Sequence, residues 1–261
     1  MTVRCELDAD GVWLVTLDRP ERKNAFDEAQ WDAAAQALAQ AREDARVGCV
    51  VLTGAGGDFS AGVDLSSFGQ PLRRSDAFSS GYDHFMTRLV EFDKPLVAAV
   101  QGVGVGIGCT LLFHCDVVYL GEGARLRLPF AALGLVPEGA SSYLLAQVVG
   151  SRAAAELLLS AEWIDARRAL ELGIATRVFR DDQVLAAALA KAREIAQHDP
   201  ATLQAIKRTL LAHRRPGLDA ARAVEAEGMR RQAGSPANRE AIAAFLEKRK
   251  PDFRKLRGPT P

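Results

Sequence analysis

Three short stretches of this 261-residue chain hold residue types that can do chemistry. The first is Thr53–Leu65 (TGAGGDFSAGVDL), a glycine-rich turn after a buried-type run. α/β folds place ligands at such turns. Glycines there let a backbone approach a ligand with its N–H groups pointing outward. A plain strand-to-helix turn accounts for the same residues. The second is Gln101–Cys109 (QGVGVGIGC), with glycine at 102, 104, 106 and 108. It is not a dinucleotide fingerprint, because the position needing the third glycine is Ile107 or Cys109. It suits a helix N-terminus packed on a strand. Such a terminus offers unpaired N–H donors and a positive dipole end, which stabilise an anion developing on a carbonyl oxygen. Close helix–strand packing explains these glycines equally well. The third is Leu135–Tyr143 (LVPEGASSY), with Glu138 at a predicted helix start. The helix dipole alone favours a glutamate there by roughly 0.3–1 kcal/mol. Phe130, Leu133, Leu135 and Val136, however, make the approach to Glu138 apolar. A carboxyl in such a setting has its pKa raised, which suits a general base.

Other chemistries lack their signatures. Ser60 has Asp58 two residues before it, so no G-x-S-x-G elbow forms. His84, His114, His198 and His213 show no metal spacing, and no P-loop lysine follows a glycine run. Cys5, Cys49, Cys109 and Cys115 form no C-x-x-C pair and read as small core side chains in a reducing compartment. Apolar residues make up 48% and charged residues 25%, the balance of a soluble globular protein. Lys+Arg and Asp+Glu are both 33, so no net field draws the chain toward nucleic acid or a membrane surface. No apolar run reaches 18 residues, MTVRCELDADG lacks a signal-peptide pattern, and GPTP is not a peroxisomal tripeptide. A cytoplasmic location is the expectation.

The elements that must position these stretches follow from periodicity. Val12–Leu17, Val47–Thr53, Leu96–Gln101, Val117–Leu120, Arg125–Leu128 and Ala175–Phe179 read as strands. Helical spacing runs from Asp27, a plausible N-cap, to about Arg46, and from Asp76 to about Phe92. It returns over Cys109–His114, Ala140–Val149, Ser151–Leu159 and Asp165–Leu172. From Asp181 onward the pattern is helical, broken at Pro200, Pro216 and Pro236. RAVEAEGMRRQ and FLEKRK read as charged helical faces, solvated or at an interface. Strands alternating with helices, then helices alone, imply an α/β core of parallel strands and a helical C-terminal part packed on that core or on a neighbouring subunit.

Taken together, the chain resembles the crotonase, or enoyl-CoA hydratase/isomerase, superfamily along nearly its whole length. The likeness is carried by LDRPERKNAFD (Leu17–Asp27), FSAGVDL (Phe59–Leu65), Lys94–Tyr119, Leu128–Leu145 and Glu227–Phe253. It implies a spiral core of β-β-α repeats over residues 1–200 and a helical trimerisation region over 201–261, in a homotrimer or a dimer of trimers. It implies an acyl-CoA substrate, with coenzyme A part of the substrate and no metal or redox cofactor. The oxyanion hole would be the N–H groups of Val63 and Ile107. Arg22, Lys23, Ala25, Ala61, Asp64 and Leu65 match positions lining CoA, and Phe245 and Lys248 match C-terminal positions approaching it. The region 66–85 would shape the acyl pocket.

Two departures sharpen the expectation. The acids that enoyl-CoA hydratases use to handle water match Thr110 and Phe130 here, and neither can take a proton. The PEG glutamate, Glu138, instead resembles that of Δ3,Δ2-enoyl-CoA isomerases of the peroxisomal type. The expectation is therefore a double-bond shift with Glu138 as base. Another crotonase reaction, such as hydration or thioester hydrolysis, and a non-catalytic acyl-CoA binder are the alternatives.

Overall fold

A computed structural model of the protein describes residues 2–64 and 80–256. Among the described residues, nine strands occur: β1 (Val3–Leu7), β2 (Val12–Leu17), β3 (Cys49–Gly54), β4 (Leu96–Val100), β5 (Val103–Val105), β6 (Val117–Gly121), β7 (Arg125–Arg127), β8 (Trp163–Asp165) and β9 (Arg177–Phe179). The helices are α1 (Glu28–Glu43), α2 (Ser80–Val90), α3 (Ile107–Thr110), α4 (Ser141–Val149), α5 (Ser151–Ser160), α6 (Ala166–Glu171), α7 (Val184–Ala196), α8 (Pro200–Ala212), α9 (Arg215–Gln232) and α10 (Pro236–Leu246).

Six strands form the main sheet in the order β1-β2-β3-β4-β6-β9, parallel throughout except for the β1–β2 pair. A second sheet runs β5-β7-β8. The chain climbs in steps: a main-sheet strand, a short second-layer strand, then a helix or helical turn. Ser60 supplies the second-layer position after β3 by bridging Gly104 of β5, and β5 pairs in parallel with β7. This is the spiral of β-β-α turns characteristic of the crotonase fold. The sequence reading did not include β1, β5 or β8. β5 and β8 are only three residues long, too short for a period to register.

The main strands are apolar along their length because both faces are covered. Val50, Leu52, Leu96, Ala98 and Leu120 face the large core under α1 and α2. Val12, Val51, Val97, Ala99 and Tyr119 face Val184, Ala188 and Ala192 of α7. Asp27 caps α1 by accepting from Gln30 N–H, as its position predicts.

Pro200, Pro216 and Pro236 fall in the first turns of α8, α9 and α10, where a missing N–H costs nothing. These helices dock on the same chain's core. Lys207 of α8 pairs with Asp116, and Arg208 with the buried Asp93. Asn238 of α10 donates to Leu133 O. Among the described residues no helix is long and apolar enough to cross a membrane, and no cluster suited to a metal ion occurs.

Candidate active site

Glu138 is 7% exposed, and it does not cap a helix. α4 begins three residues later, at Ser141. The Glu138 carboxylate accepts from Thr110 Oγ1 at 2.7 Å on Oε1 and from Tyr82 Oη at 2.7 Å on Oε2. The Tyr82 oxygen in turn accepts from Gly139 N–H at 3.0 Å. On the far side of this turn, His114 Nε2 lies 2.8 Å from Gly139 O. A carbonyl only accepts, so Nε2 carries the proton. Three elements thus fix one carboxylate: α2 through Tyr82, α3 through Thr110, and the 137–140 turn.

Burial pushes the Glu138 carboxyl up from 4.5 to about 7. The Thr110 and Tyr82 hydrogen bonds pull it down, and nearby Glu225 pushes it further up. Burial holds His114 down at about 4, so its ring is neutral. Burial and the adjacent Glu138 push the Tyr82 phenol well above its ordinary value. A carboxyl titrating near neutrality, with its ring and hydroxyl neighbours fixed in neutral forms, is suited to accept a proton and give it back.

Two backbone donors lie in the flanking glycine segments. Val63 N–H and Ile107 N–H have no acceptor among the described residues. Val63 bridges Phe26 through its neighbours: Phe26 N–H donates to Gly62 O and Asp64 N–H to Phe26 O. Ile107 opens α3, one helical turn before Thr110. Gly106, just before it, has φ 55° and ψ −122°, a conformation essentially open to glycine alone. The two segments are stitched together by Ser60 N–H to Val103 O and Val105 N–H to Ser60 O, both 2.9 Å. A Cβ on Gly108 would lie 2.4 Å from Ser60 O, so the glycine lets them close. Two unpaired N–H groups on adjoining loops are the material of an oxyanion hole.

Arg22, Lys23 and Ala25 lie on a loop bound to the Val63 segment. Ala61 N–H donates to Lys23 O, and Lys23 Nζ sits 3.2 Å from Asp58. Buried Asn24 clamps this loop, donating to Ala55 O and Asp58 O. Asp64 pairs with Arg19 at 3.2 Å. Arg22, Lys23, Ala25, Ala61 and Asp64 therefore share one edge of the molecule. Phe245 and Lys248 are exposed at the end of α10. No hydrogen bond or ion pair links them to that edge among the described residues. Leu65 and the stretch 66–79 lie outside the described residues. Phe130, where hydratases carry an acid, is buried.

Sequence reasoning did not single out Tyr82, nor Thr110 as a donor, nor Glu225. Tyr82 shares helical spacing with Phe85, Met86 and Leu89, all buried, which places its hydroxyl on the core face of α2. Glu225 lies seven residues after buried Leu218 and four before buried Met229. Within the RAVEAEGMRRQ segment it is therefore an inward acid at 4% exposure, contrary to the expectation of a solvated or interface face.

A model of the enoyl-CoA hydratase/isomerase family matches residues 8–256. The 2,3-dehydroadipyl-CoA hydratase of Escherichia coli (strain K12) is 36% identical over 243 residues, 93% of this chain and 95% of that protein. The 1,2-epoxyphenylacetyl-CoA isomerase of the same organism is 33% identical over 248 residues, with the same coverage of each. The crystal structure of an enoyl-CoA hydratase/isomerase from Pseudoalteromonas atlantica T6c matches with a TM-score of 0.90 at 36% identity, covering 97% of this chain and 100% of that one.

Proposed function

This chain belongs to the enoyl-CoA hydratase/isomerase family of acyl-CoA enzymes, and on that footing we propose that it is a Δ3,Δ2-enoyl-CoA isomerase with Glu138 as its one acid–base group. The observation that carries this reading is the state of Glu138: buried, titrating at about 7, and held through both oxygens by hydroxyls rather than by a second acid.

The reaction needs no more. The Glu138 carboxylate removes a proton from C2 of a 3-enoyl-CoA. The electron pair of that C–H bond moves toward the thioester, giving a dienolate whose oxygen accepts from Val63 N–H and Ile107 N–H. The Glu138 carboxyl then returns the proton to C4, and the double bond comes to rest between C2 and C3. Each carboxylate oxygen keeps further lone pairs beyond its hydroxyl partner. Losing one such N–H donor costs about 2.7–4 kcal/mol of barrier, and a general base contributes roughly 10²–10⁴-fold. Arg22, Lys23, Ala25, Ala61 and Asp64, with Leu65, Phe245 and Lys248, would bind CoA. The 36% likeness to a hydratase favours water addition as the second reading. Thr110 and Phe130 weigh against it, because a hydroxyl and a phenyl ring stand where two acids would handle the water.

Purified protein mixed with a 3-enoyl-CoA is expected to produce a conjugated 2-enoyl thioester, followed by ultraviolet absorbance, with no mass gain of water. Equal rates for the wild type and Glu138→Ala would sink the proposal.

A further inference from the structure

Two buried carboxyl groups flank the start of α4, and only one of them caps it. The α4 N-cap is Ala140, whose methyl group can accept no hydrogen bond. Glu225, from α9, takes the role. Its Oε2 accepts from Ala140 N–H at 2.7 Å, and its Oε1 accepts from Ser142 N–H at 2.9 Å and from Ser142 Oγ at 2.6 Å. Glu138 stands two residues before Ala140 and touches none of these donors. A helix N-terminus favours a negative charge within its first turn. An acid so placed would ordinarily fold onto those N–H groups and lose its readiness to take a proton.

The geometry points to Glu225 as a positioning residue for Glu138: it occupies the anion-favouring start of α4 with its own charge, so that Glu138 stays on Thr110 and Tyr82 and serves as a base instead of a helix cap. This rests on the reading of Glu138 as the base. It also makes the base depend on where α9 sits, since Glu225 reaches the site from the C-terminal helices.

The charged and titratable groups around the pair come from four directions. Tyr82 of α2 donates to Glu138 and feels the charge of Glu225 as well. Cys109 of α3 is pushed up to about 12, chiefly by burial and in part by Glu138. His114, in the turn after α3, holds Gly139 and stays neutral. On α9 itself, Arg222 draws Glu225 downward against the burial that raises it. Arg222 also acts on Asp83 of α2.

The test reads the carboxyl of Glu138 directly, by NMR titration of the full chain labelled with ¹³C at glutamate side chains, assigned with Glu138→Gln. In Glu225→Gln the Glu138 midpoint is expected to fall by roughly 1 pH unit, the size of effect of one nearby charge. The acid limb of kcat/KM for the isomerisation is expected to move with it. A midpoint that stays in place overturns the proposal. Ser142→Ala keeps the charge and drops one hydrogen bond, and it should leave the midpoint alone. A fall there as large as in Glu225→Gln assigns the effect to packing and also overturns it. If Glu225→Gln does not fold, the wild-type titration supplies the second measurement: Glu225 must lose its proton at lower pH than Glu138, since only then does its charge hold the start of α4 while Glu138 titrates. A Glu225 midpoint at or above that of Glu138 is equally fatal. The NMR readout is independent of turnover, so a coupled pair in a protein without isomerase activity would remove the reaction and leave the coupling standing.

Discussion

Replacing Tyr82 by phenylalanine separates the proton chemistry of Glu138 from its packing. The substitution keeps the ring among Trp31 and its neighbours and deletes one oxygen. That oxygen donates to Glu138 Oε2 at 2.7 Å and accepts from Gly139 N–H at 3.0 Å. The first loss destabilises the charged carboxylate. A hydrogen bond to a charged group contributes about 1.5–3 kcal/mol, which at 1.36 kcal/mol per unit is about 1–2 pH units. The Glu138 midpoint should therefore climb from about 7 to about 8–9. At pH 7 the fraction present as base falls from about one half to between about one tenth and one hundredth. The second loss leaves a buried N–H without an acceptor, which costs about 1–3 kcal/mol of folding stability. The assay is kcat/KM for 3-enoyl-CoA isomerisation across pH, with stability measured by urea unfolding. Activity should be low at pH 7 and recover toward the wild-type plateau as pH rises through 9. A uniform loss of activity with the acid limb unmoved would refute the reasoning, as would a limb that moves to lower pH.

Three further outcomes follow from the same geometry. Thr110→Val removes the donor to Glu138 Oε1 without stranding any N–H group, so the acid limb should move up by about 1–2 units with a smaller stability loss than in Tyr82→Phe, both read in the same two assays. Gly106→Ala meets no neighbour but cannot hold φ 55°, ψ −122° cheaply; the strain costs about 1–3 kcal/mol, and turning Ile107 N–H away should lower kcat about 10²–10³-fold. Glu138→Gln should abolish isomerisation yet gain stability relative to wild type as pH rises from 4.5 to 8. The relative gain is on the order of 3 kcal/mol, and urea unfolding showing the same stability difference at both pH values would contradict it.

The strands of the main sheet were legible because they are buried on both faces, which gives unbroken apolar runs such as Leu96–Val100, preceded by Pro95 and followed by Gln101-Gly102. The helices of the C-terminal part were legible from their prolines. The two N–H segments showed in the sequence as glycine runs, but their meaning did not. The pairing of Ser60 with Gly104 joins residues 44 positions apart, and no local pattern announces it. Glu138 looked like a helix-start glutamate for a sound physical reason, since that is where such residues usually gain. The structure differs because Glu225, 85 residues beyond the α4 N-cap, fills the cap first. Thr110 was visible only as a missing acid. Its hydroxyl turns out to be one of the two donors on Glu138.

Holding a base ready in a dry site works against the fold, and the signs of the two nearest titrations show how the cost is distributed over pH. Glu138 is raised in the folded state, so the stability of its neutral form is fully present below 4.5 and is lost as pH rises to about 7. His114 is lowered in the folded state, so its contribution is present above 6.5 and is lost as pH falls to about 4. Between roughly 4.5 and 6.5 the two slopes therefore oppose each other. They are joined through one peptide turn: Glu138 is held from the front by Tyr82 and Thr110, and Gly139 from behind by His114. The support from behind does not run through the charge of Glu138, because His114 donates to a backbone carbonyl and not to the carboxylate. Protonation of Glu138 would then change its charge and hydrogen bonding while leaving its support in place, which is what a group that must both take and return a proton within one turnover requires.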